Sequence, residues 1–207
     1  MSRGLNSTAR TPKTSASRDT LPRSFFDAVH RTNSTFQPHV LWIRVGEQRV
    51  IHCRRLATST SEARTRRNPV YAPVRAPYIA STSRYGIGQQ ENSNKTPLGL
   101  HRIAEKIGAE AEPGTIFKGR RPVGNTRDGQ PNARITDRIL WLDGLEPGRN
   151  RGGNVDSYRR YIYIHGTGDE STLGQPDTCG CTHLAATDLI PLFDILPVDT
   201  LVWISRR

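Results

Sequence analysis

The sequence lacks long apolar runs and has only three cysteines among its 207 residues. Its longest apolar runs have about five or six residues, whereas a transmembrane helix needs about 20, so an integral membrane protein is excluded. Three cysteines are too few for a disulfide scaffold, while the length is ample for one domain with its own core. Acidic residues are also scarce, because 19 Asp and Glu stand against 30 Lys and Arg, a net charge of +11.

The basic excess belongs to the N-terminal part of the chain. Residues 1–35 carry six Lys or Arg against two Asp, and residues 54–84 carry seven Arg against one Glu. Residues 85–207, in contrast, hold fifteen charges of each sign. Such charge attracts anionic polymer, anionic lipid or nucleic acid. Sparse aromatic residues near the basic segments argue against nucleic acid as the partner.

The first 36 residues are rich in Ser, Thr, Arg and Pro and show no apolar periodicity. The sequence therefore predicts a disordered basic tail at 1–36, in which only residues 25–29 have the pattern of a short helical turn. No apolar signal segment follows Met1. This predicts either a misassigned start codon or a cytoplasmic protein.

Residues 37–207 are predicted to form a mainly β domain, because short β-rich runs alternate with Gly and Pro. Residues 54–76 are predicted to be an Arg-rich loop or insertion within it. Two runs at 39–45 and 48–53 flank Gly46-Glu47 and predict a hairpin. Further strands are predicted at 77–82, 138–142, 160–165 and 201–204, and residues 188–196 have helical spacing.

The strongest chemical signal is a histidine that is followed sixteen positions later by a cysteine. His165 ends a β-rich run, and Cys181 follows Gly180 after a loop. A neighbouring imidazole can form an ion pair with a thiol and lower the thiol pKa. Gly180 allows a tight turn that points backbone N–H groups at a developing oxyanion. The pattern therefore predicts a cysteine nucleophile.

At these residues the sequence resembles the L,D-transpeptidase family, which has a YkuD-type catalytic domain. The family motif runs His-Gly-Thr, a loop with Leu/Ile-Gly, then Ser-His-Gly-Cys-Ile/Val-Arg. The corresponding residues here are His165-Gly166-Thr167, Leu173-Gly174 and Thr178-Cys179-Gly180-Cys181-Thr182-His183. The likeness continues at 91–103, 117–120, 138–145, 188–194 and 200–204, so it covers residues 85–207 well and 38–84 thinly.

The resemblance implies a β-sandwich-type catalytic domain with few short helices that needs no metal or organic cofactor. In this chain Cys181 would be the nucleophile, His165 the base that activates it, and the Gly166 carbonyl the group that orients the imidazole. Backbone N–H groups of Gly180 and Cys181 are the expected oxyanion donors. The expected substrate-binding residues are Thr167, Thr178, Cys179 and His183.

The reaction that the resemblance implies is acyl transfer on bacterial peptidoglycan. The Cys181 thiolate attacks the carbonyl of residue three of a stem peptide, D-alanine leaves, and an acceptor amine resolves the thioester. The family acts in the cell envelope or periplasm. There the basic tail and loop would hold the domain near an anionic polymer or a membrane surface.

Two other functions remain open on the sequence alone. Thr182-His183 replaces Ile/Val-Arg, and the loss of a guanidinium fits a catalytically degenerate peptidoglycan-binding module. Alternatively, Cys179, Cys181, His183 and His165 offer four ligands for tetrahedral zinc, although Cys-x-Cys-x-His is an unusual spacing.

Overall fold

The computed structural model describes residues 20–57 and 67–207. The described residues form two α-helices and eleven β-strands: α1 Arg23–Arg31, β1 His39–Arg44, β2 Arg49–Arg55, β3 Tyr71–Pro73, β4 Tyr78–Ser81, β5 Gly99–Ile107, β6 Thr115–Lys118, β7 Arg121–Asn125, β8 Thr136–Gly144, β9 Tyr163–Gly166, β10 Thr182–Leu184, α2 Ala186–Ile195 and β11 Leu201–Ser205. This confirms the mainly β fold class with few helices. Neither helix is long and apolar enough to cross a membrane, a finding limited to the described residues.

All the strands belong to one sheet. Their order is β5-β11-β1-β2-β4-β10-β9-β8-β6-β7, with β3 added to β2. β5 also pairs with β8, and this second pairing closes the strands from β5 round to β8 into a ring. Most neighbours are antiparallel, but β1 with β11 and β9 with β10 are parallel. The ring therefore brings β9 and β10, which carry the motif residues, side by side.

Both faces of the sheet are buried at β1, and each face packs against a different hydrophobic cluster. Along β1, Leu41 and Ile43 pack into the main core with α2, whereas Val40 and Trp42 pack into a second cluster beneath α1. Successive side chains of a strand point to opposite faces, so one apolar strand supplies both clusters. This explains why β1 reads as a continuous apolar run rather than as an alternating one.

Helix α1 lies inside the segment that the sequence predicts to be a tail. Phe25, Ala28 and Val29 on one side of the helix are buried in the second cluster. At the helix end, Arg31 forms an ion pair with Glu146 at 3.0 Å. The predicted boundary is thus corrected, because residues 20–36 pack as part of the fold. Residues 1–19 lie outside the described residues.

The segment 54–76, predicted to be an Arg-rich loop, contains β-strand residues near both of its ends. Arg54 and Arg55 continue β2, and β3 pairs antiparallel with them. Tyr71 fixes this pairing, because its buried ring carries a hydroxyl that donates to the Gln37 carbonyl at 2.6 Å. Residues 58–66 of the loop lie outside the described residues.

The elements with the clearest sequence patterns are present. β1 and β2 form the predicted antiparallel hairpin around a 3-10 turn at Val45–Glu47. The other four predicted strands correspond to β4, β8, β9 and β11, and the predicted helix corresponds to α2. β9 begins only at Tyr163, because residues 157–161 form a turn before it.

Candidate active site

Neighbouring parallel strands place the two predicted catalytic side chains. The register of β9 and β10 pairs His165 with His183. Cys181 immediately precedes β10 and stands two residues before His183, so alternation places it on the same face of the sheet as His165. Cys181 and His165 line one cleft with a volume of about 360 Å³.

The cleft gathers most of the predicted site residues. Six of them line it: His165, Thr167, Thr178, Cys179, Cys181 and His183. Six further residues that the sequence analysis did not select also line it: Arg84, Asn132, Arg134, Ile135, Asp169 and Asp177. Arg84, Asn132, Arg134 and Ile135 come from segments far from the motif in sequence. No local pattern marks these four, because only the fold brings them to the cleft.

His165 is held by the backbone of the next residue. Its side chain is buried, and Nδ1 lies 2.8 Å from the carbonyl oxygen of Gly166. A carbonyl can only accept, so Nδ1 carries the proton and Nε2 is the basic nitrogen. Position 166 requires glycine, since a Cβ there would lie 2.3 Å from Oδ2 of the buried Asp137.

The imidazole of His165 is kept neutral. Burial, and next the neighbouring His183, lower the pKa of His165 to about 3, although the Gly166 carbonyl and Asp137 act in the opposite direction. The ring centroids of His165 and His183 are 4.7 Å apart. Two adjacent imidazoles in a dry site disfavour a positive charge on either ring.

The Cys181 thiol is bonded to the backbone of the turn before β9. Sγ accepts from the Tyr163 N–H at 3.4 Å and donates to the Tyr161 carbonyl at 3.4 Å. Among the described residues, no hydrogen bond joins Sγ to His165. Burial raises the pKa of the Cys181 thiol to about 11. Burial thus disfavours the charged form of both groups and works against the ion pair that the sequence predicts.

Two threonine hydroxyls shape the loop before Cys181. Thr178 donates to the Cys181 carbonyl at 2.7 Å and accepts from the Gly180 N–H at 3.2 Å. Thr96, which is fully buried, donates to the Gly180 carbonyl at 3.1 Å. Gly180 has a φ of +118°, a conformation that favours glycine. The loop conformation is thus set on both sides of the expected oxyanion donors.

Arg160 is a further residue at the site that the sequence analysis missed. Its guanidinium donates to the carbonyls of Gln89 at 2.8 Å and Lys95 at 2.7 Å, which ties that loop to the turn before β9. Its charge also works against the burial that raises the pKa of Cys181. Nothing in the motif pattern distinguishes Arg160 from the neighbouring Arg159.

The zinc alternative requires several His, Cys, Asp or Glu side chains grouped around one point. Within residues 20–57 and 67–207, no three His, Cys, Asp or Glu side chains are grouped so that they could hold a metal ion. Cys179, one of the four ligands considered, is exposed.

Fold and site together define a mainly β domain with a cysteine and a histidine in one cleft. The family model for the L,D-transpeptidase catalytic domain, YkuD, matches residues 57–204. Because this match covers well over half of the chain, the chain belongs to the family of L,D-transpeptidase catalytic domains.

Several solved structures are similar to this chain. Bd1075 of Bdellovibrio bacteriovorus is similar with a TM-score of 0.52 and 14% identity, over 91% of this chain and 54% of that chain. An L,D-transpeptidase from Mycobacterium smegmatis aligns with a TM-score of 0.45 and 11% identity, over 83% of this chain and 60% of that chain. L,D-transpeptidase 3 from Mycobacterium tuberculosis, in complex with a faropenem-derived adduct, aligns with a TM-score of 0.47 and 14% identity, over 83% of this chain and 62% of that chain.

The chain thus spans less than two thirds of the length of these solved relatives. The comparison with curated proteins gives no significant match.

Proposed function

We propose that this chain is an L,D-transpeptidase that transfers acyl groups between bacterial peptidoglycan stem peptides through Cys181. The observation that supports this function is the cleft shared by Cys181 and His165 in a chain of this family. The parallel register of β9 and β10 fixes the two residues relative to each other without help from the long connection between them.

In the first step, Sγ of Cys181 leaves the Tyr161 carbonyl and attacks the carbonyl carbon of residue three of the donor stem. As the S–C bond forms, Nε2 of His165 takes the thiol proton, because the resting pair is neutral. The Gly166 carbonyl keeps the imidazole in the tautomer that makes Nε2 the base. The N–H groups of Cys181 and Gly180 stabilise the oxyanion, and the Gly180 N–H is released from the Thr178 hydroxyl as this happens.

In the second step, the C–N bond to the leaving D-alanine breaks. The imidazolium of His165 gives its proton to the departing amine, and a thioester on Cys181 remains. An acceptor amine then attacks the thioester, loses a proton to His165, and forms a new amide. The sulfur leaves as a thiolate and recovers the proton from the imidazolium, which restores the neutral pair.

The remaining predicted residues take supporting parts in this proposal. Thr178 holds the loop that carries the oxyanion donors, and Thr167 and His183 contact the bound stem from the cleft wall. Cys179 is exposed beside the nucleophile and takes no part in the acyl step.

We place this activity in the cell envelope, where the family acts. The positive charge of residues 1–35 and 54–84 suits attachment to an anionic polymer or membrane surface, since residues 85–207 are neutral overall. Neutralising the arginines of these segments would weaken salt-dependent binding to isolated sacculi if this attachment occurs.

Intact-mass measurement after incubation with a tetrapeptide stem or a carbapenem tests the acyl step. We expect the wild type to gain the acyl mass and Cys181→Ala to gain none. Cys179→Ala is the matched control, because it removes a thiol two positions away in the same cleft, and it should still form the adduct. A wild type that binds sacculi but never forms a thioester would instead support the degenerate binding module.

A further inference from the structure

The cleft lacks a positive charge at the position where the family motif has arginine. His183 is almost fully buried, and burial, with a smaller effect of the nearby Arg134 charge, lowers its pKa to about 4. Its ring packs at 4.7 Å from His165, and Nδ1 has no hydrogen-bond partner. A neutral imidazole cannot bind a carboxylate as a guanidinium does.

One guanidinium in the cleft is nevertheless unpaired. Two arginines and two aspartates line the cleft. Arg84 is bonded to Asp177 at 3.0 Å, and Asp169 accepts from the Ser171 N–H at 3.1 Å. Arg134 forms no ion pair and no side-chain hydrogen bond with any described residue. Arg134 is therefore the cleft's available group for an anion.

The segment that carries Arg134 is fixed at the cleft wall on both sides. The Gly168 N–H, in the loop that follows His165, donates to the Ala133 carbonyl at 2.8 Å. On the other side, the Phe117 N–H in β6 donates to the Ile135 carbonyl at 2.9 Å. Arg134 therefore projects from a backbone that is tied directly to the strand-end loop of the proposed base.

We propose that Arg134 binds the C-terminal carboxylate of the donor stem peptide and so replaces the guanidinium that position 183 lacks. This inference rests on the proposed function. In a tetrapeptide donor the carboxylate belongs to the leaving residue, one residue beyond the carbonyl that Cys181 attacks. Because consecutive Cα atoms are about 3.8 Å apart, this carboxylate must lie in the same cleft as Sγ.

The proposal makes Arg134 a specificity-determining residue. Arginine presents two parallel N–H groups that match the two oxygens of a carboxylate. A donor whose C-terminal carboxylate is amidated loses both the charge and the second acceptor oxygen. The cleft should therefore select stems that end one residue after the scissile bond.

The test compares acylation by a tetrapeptide acid and by the same tetrapeptide as its C-terminal amide. We expect the wild type to favour the acid in kcat/KM by about ten- to hundred-fold, the usual range for a charged hydrogen bond. Arg134→Gln should lower kcat/KM for the acid to the level of the amide and leave the amide almost unchanged. Arg134→Lys should retain part of the preference, because it keeps the charge.

Arg127→Gln is the matched control. Arg127 also lies between β7 and β8, but it lines a different depression on the surface. It should keep the full preference for the acid. An Arg134→Gln variant that slows acid and amide equally, or a wild type that does not distinguish them, would overturn the inference.

Peptide binding to the Cys181→Ala variant separates this inference from the proposed function. Calorimetry should show tighter binding of the acid than of the amide, and Arg134→Gln should abolish the difference. If the wild type forms no thioester while this binding difference is present, the transferase function fails and carboxylate recognition by Arg134 stands. If the thioester forms while acid and amide bind equally, the transferase function stands and carboxylate recognition by Arg134 fails.

Discussion

The surroundings of Cys181 and His165 favour the protonated thiol and the neutral imidazole. Burial raises the pKa of the thiol to about 11 and lowers the pKa of the imidazole to about 3. The two shifts have the same main cause, because each charged form loses hydration, and this loss outweighs the Tyr163 N–H at the thiol and the Gly166 carbonyl at the imidazole. Proton transfer therefore becomes favourable only when a substrate carbonyl accepts the sulfur electrons. We therefore expect a thiol that reacts slowly at neutral pH.

The neutral pair makes a prediction about thiol reactivity. In the Cys179→Ala variant, the rate of Cys181 alkylation by iodoacetamide should rise about tenfold per pH unit between pH 7 and 10, because only the thiolate reacts. Intact mass against time at each pH measures this rate, and Cys53 is buried and interferes little. A rate that is already at its plateau near pH 7 would reveal the ion pair and contradict the prediction.

At this scale the sequence identified the residues of the motif but not those beside it. Cys181, His165 and Gly166 stand in the pattern from which the sequence predicts the site. Arg134 and Arg160 are ordinary arginines in sequence, and only the fold brings Arg134 to the cleft and Arg160 to the loop beside it. Spacing also does not reveal how deeply the pair is buried, and burial works against the ion pair that the sequence predicts.

Among the elements, α1 contributes more than its composition suggests. Phe25 is fully buried, and its ring contacts those of Phe26, Phe36, Tyr71 and Trp203. The helix thereby covers the face of the sheet opposite the main core. Its short apolar stripe stands within a Ser- and Arg-rich stretch, which is why the sequence pattern pointed to disorder.

The packing of α1 leads to a stability prediction. Phe25→Ala should lower the free energy of unfolding by about 3–5 kcal/mol, the usual cost of truncating a buried aromatic ring. Arg23→Ala on the same helix is the control, because the Arg23 side chain is 93% exposed and its ion pair with Asp27 contributes little. Urea unfolding of both variants measures the difference. Equal, small effects would mean that α1 is dispensable.

Strands with a clear apolar run were predictable as elements, and the pairing of strands that lie far apart in sequence was not. The β1–β2 hairpin is visible in the sequence because its two strands flank one short turn. β5 pairs with β11 on one side and β8 on the other, and its partners lie tens of residues away. The three-residue β10 is too short to show a pattern, although its register with β9 sets the candidate site.

For the whole molecule, the buried histidines dominate the response to acid. Burial lowers the pKa to about 4 for His52, His101 and His183, and to about 3 for His165. In the unfolded chain the pKa of each histidine returns to about 6.5. Above that pH both states are neutral and these groups add no pH dependence. Below it the unfolded chain binds more protons, so stability falls as the pH falls.

We therefore expect a steep loss of stability between pH 6.5 and 4.5. Each buried histidine contributes a slope of up to about 1.4 kcal/mol per pH unit in this window. Urea unfolding at a series of pH values gives this slope. His52→Gln should reduce the slope by up to about 1.4 kcal/mol per pH unit, the contribution of one bound proton. A free energy of unfolding that stays constant from pH 7 to 5 would show that these histidines titrate normally in the fold.

The parallel pairing of β9 with β10 has a consequence for how such a chain can diverge. The backbone ladder brings His165 next to β10, the strand that Cys181 directly precedes, and this pairing does not depend on the length of the connection at 167–177. The same connection supplies Thr167, Asp169 and Asp177 to the cleft wall. Insertions and deletions there would change the shape of the cleft wall and leave the strands on either side in place. Exchanging this one connection is thus expected to change which ligands the cleft binds, while Cys181 and His165 stay unchanged.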